Sequence, residues 1–194
     1  MDIEDLDAFL TKKSNEAHSF LIKALTLGFL GCVAIWMYFF DFSGKIHIPV
    51  VNIELPLLVA SIVLTVLSVS FFVCMLLTIG QGASYLIASL NQPAGSFVSI
   101  KDLLLRVVMR GPVLFSSLPA IITALLANAI IRIIFIHGVT WVIFYDELVV
   151  AIEFPFLVMV KMLVFNFVIY MIISIPEIIV AASVIHSVFF RPAN

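Results

Sequence analysis

The sequence predicts an all-α polytopic integral membrane protein with four transmembrane helices, both termini cytoplasmic (N-in/C-in), and short extended, β-like extracytoplasmic segments. Three observations carry this expectation. Of the 194 residues 63% are apolar and only 11% charged, against roughly 45–50% and 25% in soluble domains, and the mean hydropathy is +1.25. The charges collect in patches, with no Asp, Glu, Lys or Arg between Glu54 and Lys101. Four apolar stretches also reach the ~20 residues needed to cross ~30 Å of hydrocarbon, in a chain whose length suits a single membrane domain, 1–194.

The first nineteen residues (1–19) open with acids at Asp2, Glu4, Asp5 and Asp7, which is unlike the basic start of a cleavable signal peptide. Ile3, Leu6, Phe9 and Leu10 recur at helical spacing among them, so a short cytoplasmic amphipathic helix is expected. Its acidic polar face suits a protein surface better than an anionic leaflet. The first span is placed at 20–40 and ends at Asp41. The extracytoplasmic loop 41–56 holds Ile46, Ile48 and Val50 in alternation, a strand pattern, with Pro49 confining such a strand to an edge. The second span, 57–79, follows Pro56, a residue suited to a helix start, and is expected to break at Gly80-Gln81-Gly82, with residues 83–90 as a continuation beyond the membrane.

The cytoplasmic loop 80–111 contains Ser99-Ile100-Lys101-Asp102, a helix-start signature. Apolar residues alternating with Lys101, Arg106 and Arg110 then predict an interfacial helix in contact with anionic lipid. The third span is placed at 112–131, closed by Arg132. The loop 132–160 is expected to be extracytoplasmic and β-like through residues 133–145, with His137-Gly138 as a turn and Trp141 and Tyr145 at the membrane interface. Apolar edges of this kind are hazards when exposed, so the two extracytoplasmic segments are expected to pair with each other or with a neighbouring subunit. The fourth span is placed at 161–184, leaving 185–194 as a cytoplasmic end.

Orientation follows from the basic residues, which cytoplasmic loops retain. With the N-terminus inside, Lys12, Lys13, Lys23, Lys101, Arg106, Arg110 and Arg191 fall on one side, and only Lys45, Arg132 and Lys161 on the other.

Ionisable residues within spans are functional candidates by default. Glu177 is the leading one, because it follows Pro176, whose missing N–H and ring kink a helix. Lys23 lies at similar depth in the first span, and an intramembrane Lys23–Glu177 pair is expected, within one chain or across an interface. Ser61, Thr65, Ser68, Asn128 and Asn166 are read as hydrogen-bonding between helices rather than lining a pathway. Ala24 with Gly28, Gly80 with Ser84, and Ala120 with Ala124 have the small-xxx-small spacing of close helix contacts.

Cys32 and Cys74 are expected to be buried and unpaired. No zinc helix, nucleophile elbow or phosphate loop occurs, and His18, His47, His137 and His186 are too dispersed to suggest a metal site. No cofactor, metal or nucleic acid is expected. The sequence therefore predicts a non-enzymatic subunit in the lipid bilayer, with the bacterial inner (plasma) membrane as the expected location. Such a subunit would form a homo-oligomer or anchor a cytoplasmic protein partner, as a secretion-complex component or a membrane sensor of a bacterial defence system does. Its contacts are expected at Ile3, Leu6, Phe9, Leu10, Ile46, Ile48 and Val50. The alternative is a small ion channel or ion-coupled transporter using Glu177 at the Pro176 kink.

Overall fold

The computed structural model describes residues 3–41, 44–48, 53–89, 118–150 and 155–189. Its elements are α1 (Ile3–Phe39), β1 (Lys45–Ile48), β2 (Ile53–Pro56), α2 (Leu57–Ser89), α3 (Leu118–Val150) and α4 (Pro155–Phe189). Helices of 37, 33, 33 and 35 residues are about 50–55 Å long, well beyond the ~30 Å of a bilayer core. Among the described residues, four helices are long and apolar enough to cross a membrane, over Ala8–Phe39, Leu57–Tyr85, Ile122–Val150 and Phe156–His186.

The amphipathic N-terminal turns are not a separate helix. They continue directly into the first span, because residues 11–19 contain neither Gly nor Pro to stop them. One face of α1 is buried at Leu10, Ser14, Ala17, Leu21, Ala24, Gly28, Gly31 and Ile35, in steps that alternate between four and three residues. That is the 3.5-residue period of a coiled-coil seam, here made mostly of small residues. The helix ends where Asp41 takes a left-handed conformation (φ 60°), which Asp tolerates better than most residues. The amide of Phe40 donates to the Trp36 carbonyl (3.0 Å) and that of Asp41 to the Tyr38 carbonyl (3.1 Å).

β1 and β2 form an antiparallel pair in register Lys45↔Pro56, Ile46↔Leu55, His47↔Glu54 and Ile48↔Ile53. Lys45–Ile48 of the expected segment is thus a strand, and its partner is the adjacent segment of the same loop. A local hairpin closes only a few residues of chain and needs no distant strand.

The second helix starts at Leu57 as expected and passes through Gly80-Gln81-Gly82 without breaking. Inside lipid an interrupted helix would leave backbone groups with no water to satisfy them. Continuing it costs only the ~1 kcal/mol helix penalty of each glycine.

The third helix departs furthest from expectation. Residues 133–145, read from sequence as an extended extracytoplasmic segment, are helical, and the apolar helix runs on past 131 to Val150. Residues 111–117, where that span was expected to start, lie outside the described residues. The β-branched residues of this region reflect packing more than a backbone preference, and in lipid the helix is the conformation that satisfies its own backbone. Arg132 does not close the span; it is buried at 5% exposure in mid-helix. The fourth helix begins on Pro155 and runs through Pro176, so it extends beyond 161–184 at both ends.

The chain divides into two compact units, and every helix contributes to both. The first comprises Met1–Ala24, Ser70–Leu126 and Pro176–Asn194. Within it the Phe9 and Tyr85 rings lie 4.1 Å apart, Phe20 stacks on Phe71 at 6.1 Å, and Gly80 packs against Val184. The second comprises Leu25–Val69 and Ala127–Ile175. Its core is Cys32, Ile35, Phe135 and Ile136, flanked by Trp36, Ile131, Val139 and Ile173. A β-carbon on Gly28 would lie 2.9 Å from both Ser68 Oγ and Ile131 Cγ2, so α1, α2 and α3 meet at a position only glycine fits. Such close approach drives helix association where lipid is as apolar as the side chains.

Candidate functional site

The second unit concentrates the chain's buried polarity. On α2, Ser61, Thr65 and Ser68 are buried on one face; on α3, Asn128, Arg132 and Thr140 recur at multiples of four residues, one face of that helix. Ser61 donates to the Leu58 carbonyl (2.7 Å) and Thr140 lies 2.9 Å from the Ile136 carbonyl, while Cys32 donates across to the Ile131 carbonyl of α3 at 2.9 Å. Thr65 Oγ1 and Asn128 Oδ1 are buried with no hydrogen-bond partner among the described residues. Arg132 is the unit's buried cation, in a helix able to span lipid, where an arginine costs ~2.5–3.5 kcal/mol at the centre.

Beside this polar seam, α3 and α4 enclose a groove of about 610 Å³, lined by Ile133, Ile136, His137, Leu163, Val164, Asn166, Phe167 and Tyr170. Asn166 Oδ1 accepts from the Thr140 hydroxyl, which ties α4 to α3. The Trp141 indole N–H donates to His137 Nε2 at 2.9 Å. Because an indole N–H can only donate, Nε2 is an acceptor and the ring proton is on Nδ1.

A second, larger cavity of about 1040 Å³ lies by the hairpin, with Tyr38, Phe39, Phe40, Tyr145, Asp41 and Asp146 among its lining. Trp36, Phe39, Phe40, Trp141 and Tyr145 interlock edge-on or tilted at 5.3–6.1 Å between centroids, an aromatic cluster of the kind that sits at headgroup level. Glu147 of α3 and Lys161 of α4 pair at 3.1 Å, both half exposed.

The residues singled out from sequence are distributed differently. Lys23 is exposed, and its ammonium lies 5.7 and 5.6 Å above the Phe20 and Phe71 rings. This cation–π arrangement lets an exposed lysine beside apolar rings keep its charge. Glu177 is half-buried on α4 beside the exposed Pro176. Leu10, expected as a partner contact, is 1% exposed and belongs to the buried face of α1, because the helix carrying it packs on its own chain. Phe9 is likewise engaged with Tyr85 and lies beneath the Lys13 ammonium (5.8 Å). Ile3 and Leu6 lie in α1, and Ile46 and Ile48 in β1. Val50, Lys101, Arg106 and Arg110 lie outside the described residues.

Cys32 is buried, Cys74 half-buried, and both are free thiols. Among the described residues no group of three or more His, Cys, Asp or Glu could hold a metal. Sequence reasoning missed Arg132 as a buried mid-helix residue, and with it His137, Thr140 and Tyr170. The signal was present: apolar residues flank Arg132 on both sides, and Asn128, Arg132, Ile136 and Thr140 repeat at steps of four.

Four helices of this length and apolarity are consistent with an integral membrane protein and suggest a lipid bilayer environment. Compared with protein-family models, with curated proteins and with solved structures, the chain finds no match.

Proposed function

We propose that this chain is a non-enzymatic membrane subunit that self-associates, and in that form anchors a cytoplasmic partner, in the manner of a secretion-complex component or a membrane sensor of a bacterial defence system. The observation that carries the reading is the outer face of α4. Only 11% of its most apolar window is buried, against 44% for α1. Val168, Met171, Ile175, Ile178, Ala182 and Ile185 are all exposed on it in steps alternating between three and four residues. This is the seam period of paired helices, presented outward. Ser61 and Thr78 donate to carbonyls of their own helix and Thr140 bonds across to Asn166, which also favours a packing role. A cytoplasmic location for both termini is supported by the basic residues: with Lys23 and Arg132 set aside as lying well inside helices, Lys12, Lys13, Lys101, Arg106, Arg110 and Arg191 fall on the proposed cytoplasmic side and Lys45 and Lys161 on the other.

The test is the mass of the assembly in lipid nanodiscs by native mass spectrometry, with disulfide cross-linking of Met171→Cys in a background lacking Cys32 and Cys74. Oligomers that cross-link at Met171, and not at the inward-facing Met162→Cys, are expected. A strict monomer at all concentrations would overturn the reading. The half-buried Glu177 next to Pro176 favours, as a second reading, a small ion channel or ion-coupled transporter. Glu177→Gln would then alter ion flux into liposomes while leaving assembly intact.

A further inference from the structure

We propose that the α3–α4 groove of the second unit is a binding site for a neutral, lipid-soluble molecule of the quinone class, whose ring carbonyls take hydrogen bonds from His137 and Asn166. This goes beyond the subunit reading and does not depend on it.

The polar groups left in the groove are donors. Asn166 uses its carbonyl oxygen on the Thr140 hydroxyl, so its NH₂ protons remain for the groove that it lines. His137 uses Nε2 on Trp141, so its Nδ1–H remains too. Thr140 is one helical turn from His137, so the two donors sit roughly one turn apart, ~5 Å along α3. Apart from these and the Tyr170 hydroxyl, which can donate or accept, the lining is hydrocarbon and aromatic. A site offering donors in an apolar wall selects a ligand with exposed carbonyl oxygens, since unmatched donors on either partner would be desolvated without compensation.

Charge and depth narrow the class further. None of the lining residues is Lys, Arg, Asp or Glu, so a phosphate or carboxylate head would enter without a counter-charge, at high desolvation cost. The exposed Glu147–Lys161 pair marks a water-facing level. Asn166 is about 7.5 Å from the level of Lys161, and His137 about 15 Å from Glu147, along their helices, so the donors lie at and just below the level of the Trp141 and Tyr145 rings, at the inner edge of the headgroups. A volume of about 610 Å³ falls in the ~300–1,000 Å³ range of small-molecule sites. Phe167 and Tyr170 offer ring faces and edges against which a flat head can pack.

The experiment titrates the full chain in nanodiscs with a ubiquinone bearing one isoprenoid unit and reads the emission of Trp36 and Trp141. Saturable quenching is expected. Asn166→Leu should weaken the apparent Kd about tenfold, the loss of one hydrogen bond to a buried acceptor. Val164→Phe, at an exposed position on the groove wall, should abolish saturation while leaving Thr140 and Asn166 in place. Circular dichroism and elution volume establish that each variant is folded. Quenching that rises linearly with the quinone-to-lipid ratio and is the same in all three proteins would mean partitioning into lipid alone, and would overturn the proposal. So would displacement of the quinone by squalene at equal concentration, because the groove would then be selecting hydrocarbon and not carbonyl oxygen.

Discussion

Placing a methyl group at Gly80 tests whether helix contact in the first unit is set by backbone approach. A β-carbon there would lie 2.7 Å from Val184 Cγ2, 3.0 Å from Cγ1 and 3.4 Å from Cβ. Carbon atoms rest at about 3.5–4.0 Å, so the new methyl would intrude by roughly 0.8 Å on a side chain that is stiff at χ1. Overpacking of this kind costs about 1–3 kcal/mol, while replacing a mid-helix glycine by alanine returns about 1 kcal/mol of helix preference. Gly80→Ala alone should therefore be destabilising by roughly 0–2 kcal/mol. In a Val184→Ala background both γ-methyls are gone and the remaining contact at 3.4 Å is ordinary. The same Gly80→Ala change should now stabilise by about 1 kcal/mol, giving a coupling of about 1–3 kcal/mol between the sites. The assay is reversible unfolding from bicelles into denaturing detergent, followed by far-UV circular dichroism for all four proteins. An equal effect of Gly80→Ala in both backgrounds, or stabilisation in the wild type, would refute the steric argument.

Three further outcomes are expected. In a Cys32→Ser, Cys74→Ala background, Asp146→Cys should react readily with a membrane-impermeant maleimide and Ile133→Cys orders of magnitude more slowly; equal rates would restore a loop where α3 runs. Thr140→Val and Asn166→Leu should each cost about 0.6 kcal/mol and no more than about 1.7, the mean and maximum for polar pairs between membrane helices, and together less than the sum, because either change already breaks the α3–α4 bond; strict additivity in a double-mutant cycle would sink that coupling. The Glu147–Lys161 pair, half exposed on both sides, should contribute under about 1 kcal/mol and fade with added salt; a coupling above about 2 kcal/mol that ignores salt would show it to be shielded from water.

Sequence reasoning located some helix limits well and others poorly, and the difference has a physical cause. The start of α2 was legible because Pro56 and the end of a β-like stretch coincide. The end of α1 was legible within a residue or two because Asp41 follows a long apolar run. Arg132 misled because a single charge was weighed as a boundary. At the centre of a span an arginine costs ~2.5–3.5 kcal/mol, yet Ile130, Ile131, Ile133, Ile134, Phe135 and Ile136 around it each contribute ~0.3–0.6 kcal/mol in favour of insertion. Those six alone, ~2–3.6 kcal/mol, nearly cancel it, so the helix continues. Gly80-Gln81-Gly82 and His137-Gly138 misled for a related reason. Turn signals are calibrated on chains in water, where an opened backbone finds other partners, and in lipid it does not. The groove was illegible because it depends on which faces of α3 and α4 meet, and near-uniform apolarity carries no amphipathic signal for that.

The apolar uniformity also explains why side-chain size and polar atoms, rather than hydrophobicity, divide the surfaces of this chain. The buried seam of α1 runs through Ser14, Ala17, Ala24, Gly28 and Gly31, residues that bury little area but admit a neighbouring backbone. The outward face of α4 runs through Val168, Met171, Ile175, Ile178 and Ile185, bulky side chains that a neighbouring helix meets at the ordinary 8–10 Å axis separation. Transfer from water cannot discriminate between two such faces once both are in lipid, so their difference lies in packing. The small-residue face closes tightly within the chain, whereas the bulky face associates only with a surface shaped to it. In the proposed self-association a second copy of α4 would supply that surface across a two-fold axis. The assembly state would then be the property most sensitive to substitutions on α4, and the fold the property most sensitive to substitutions on α1.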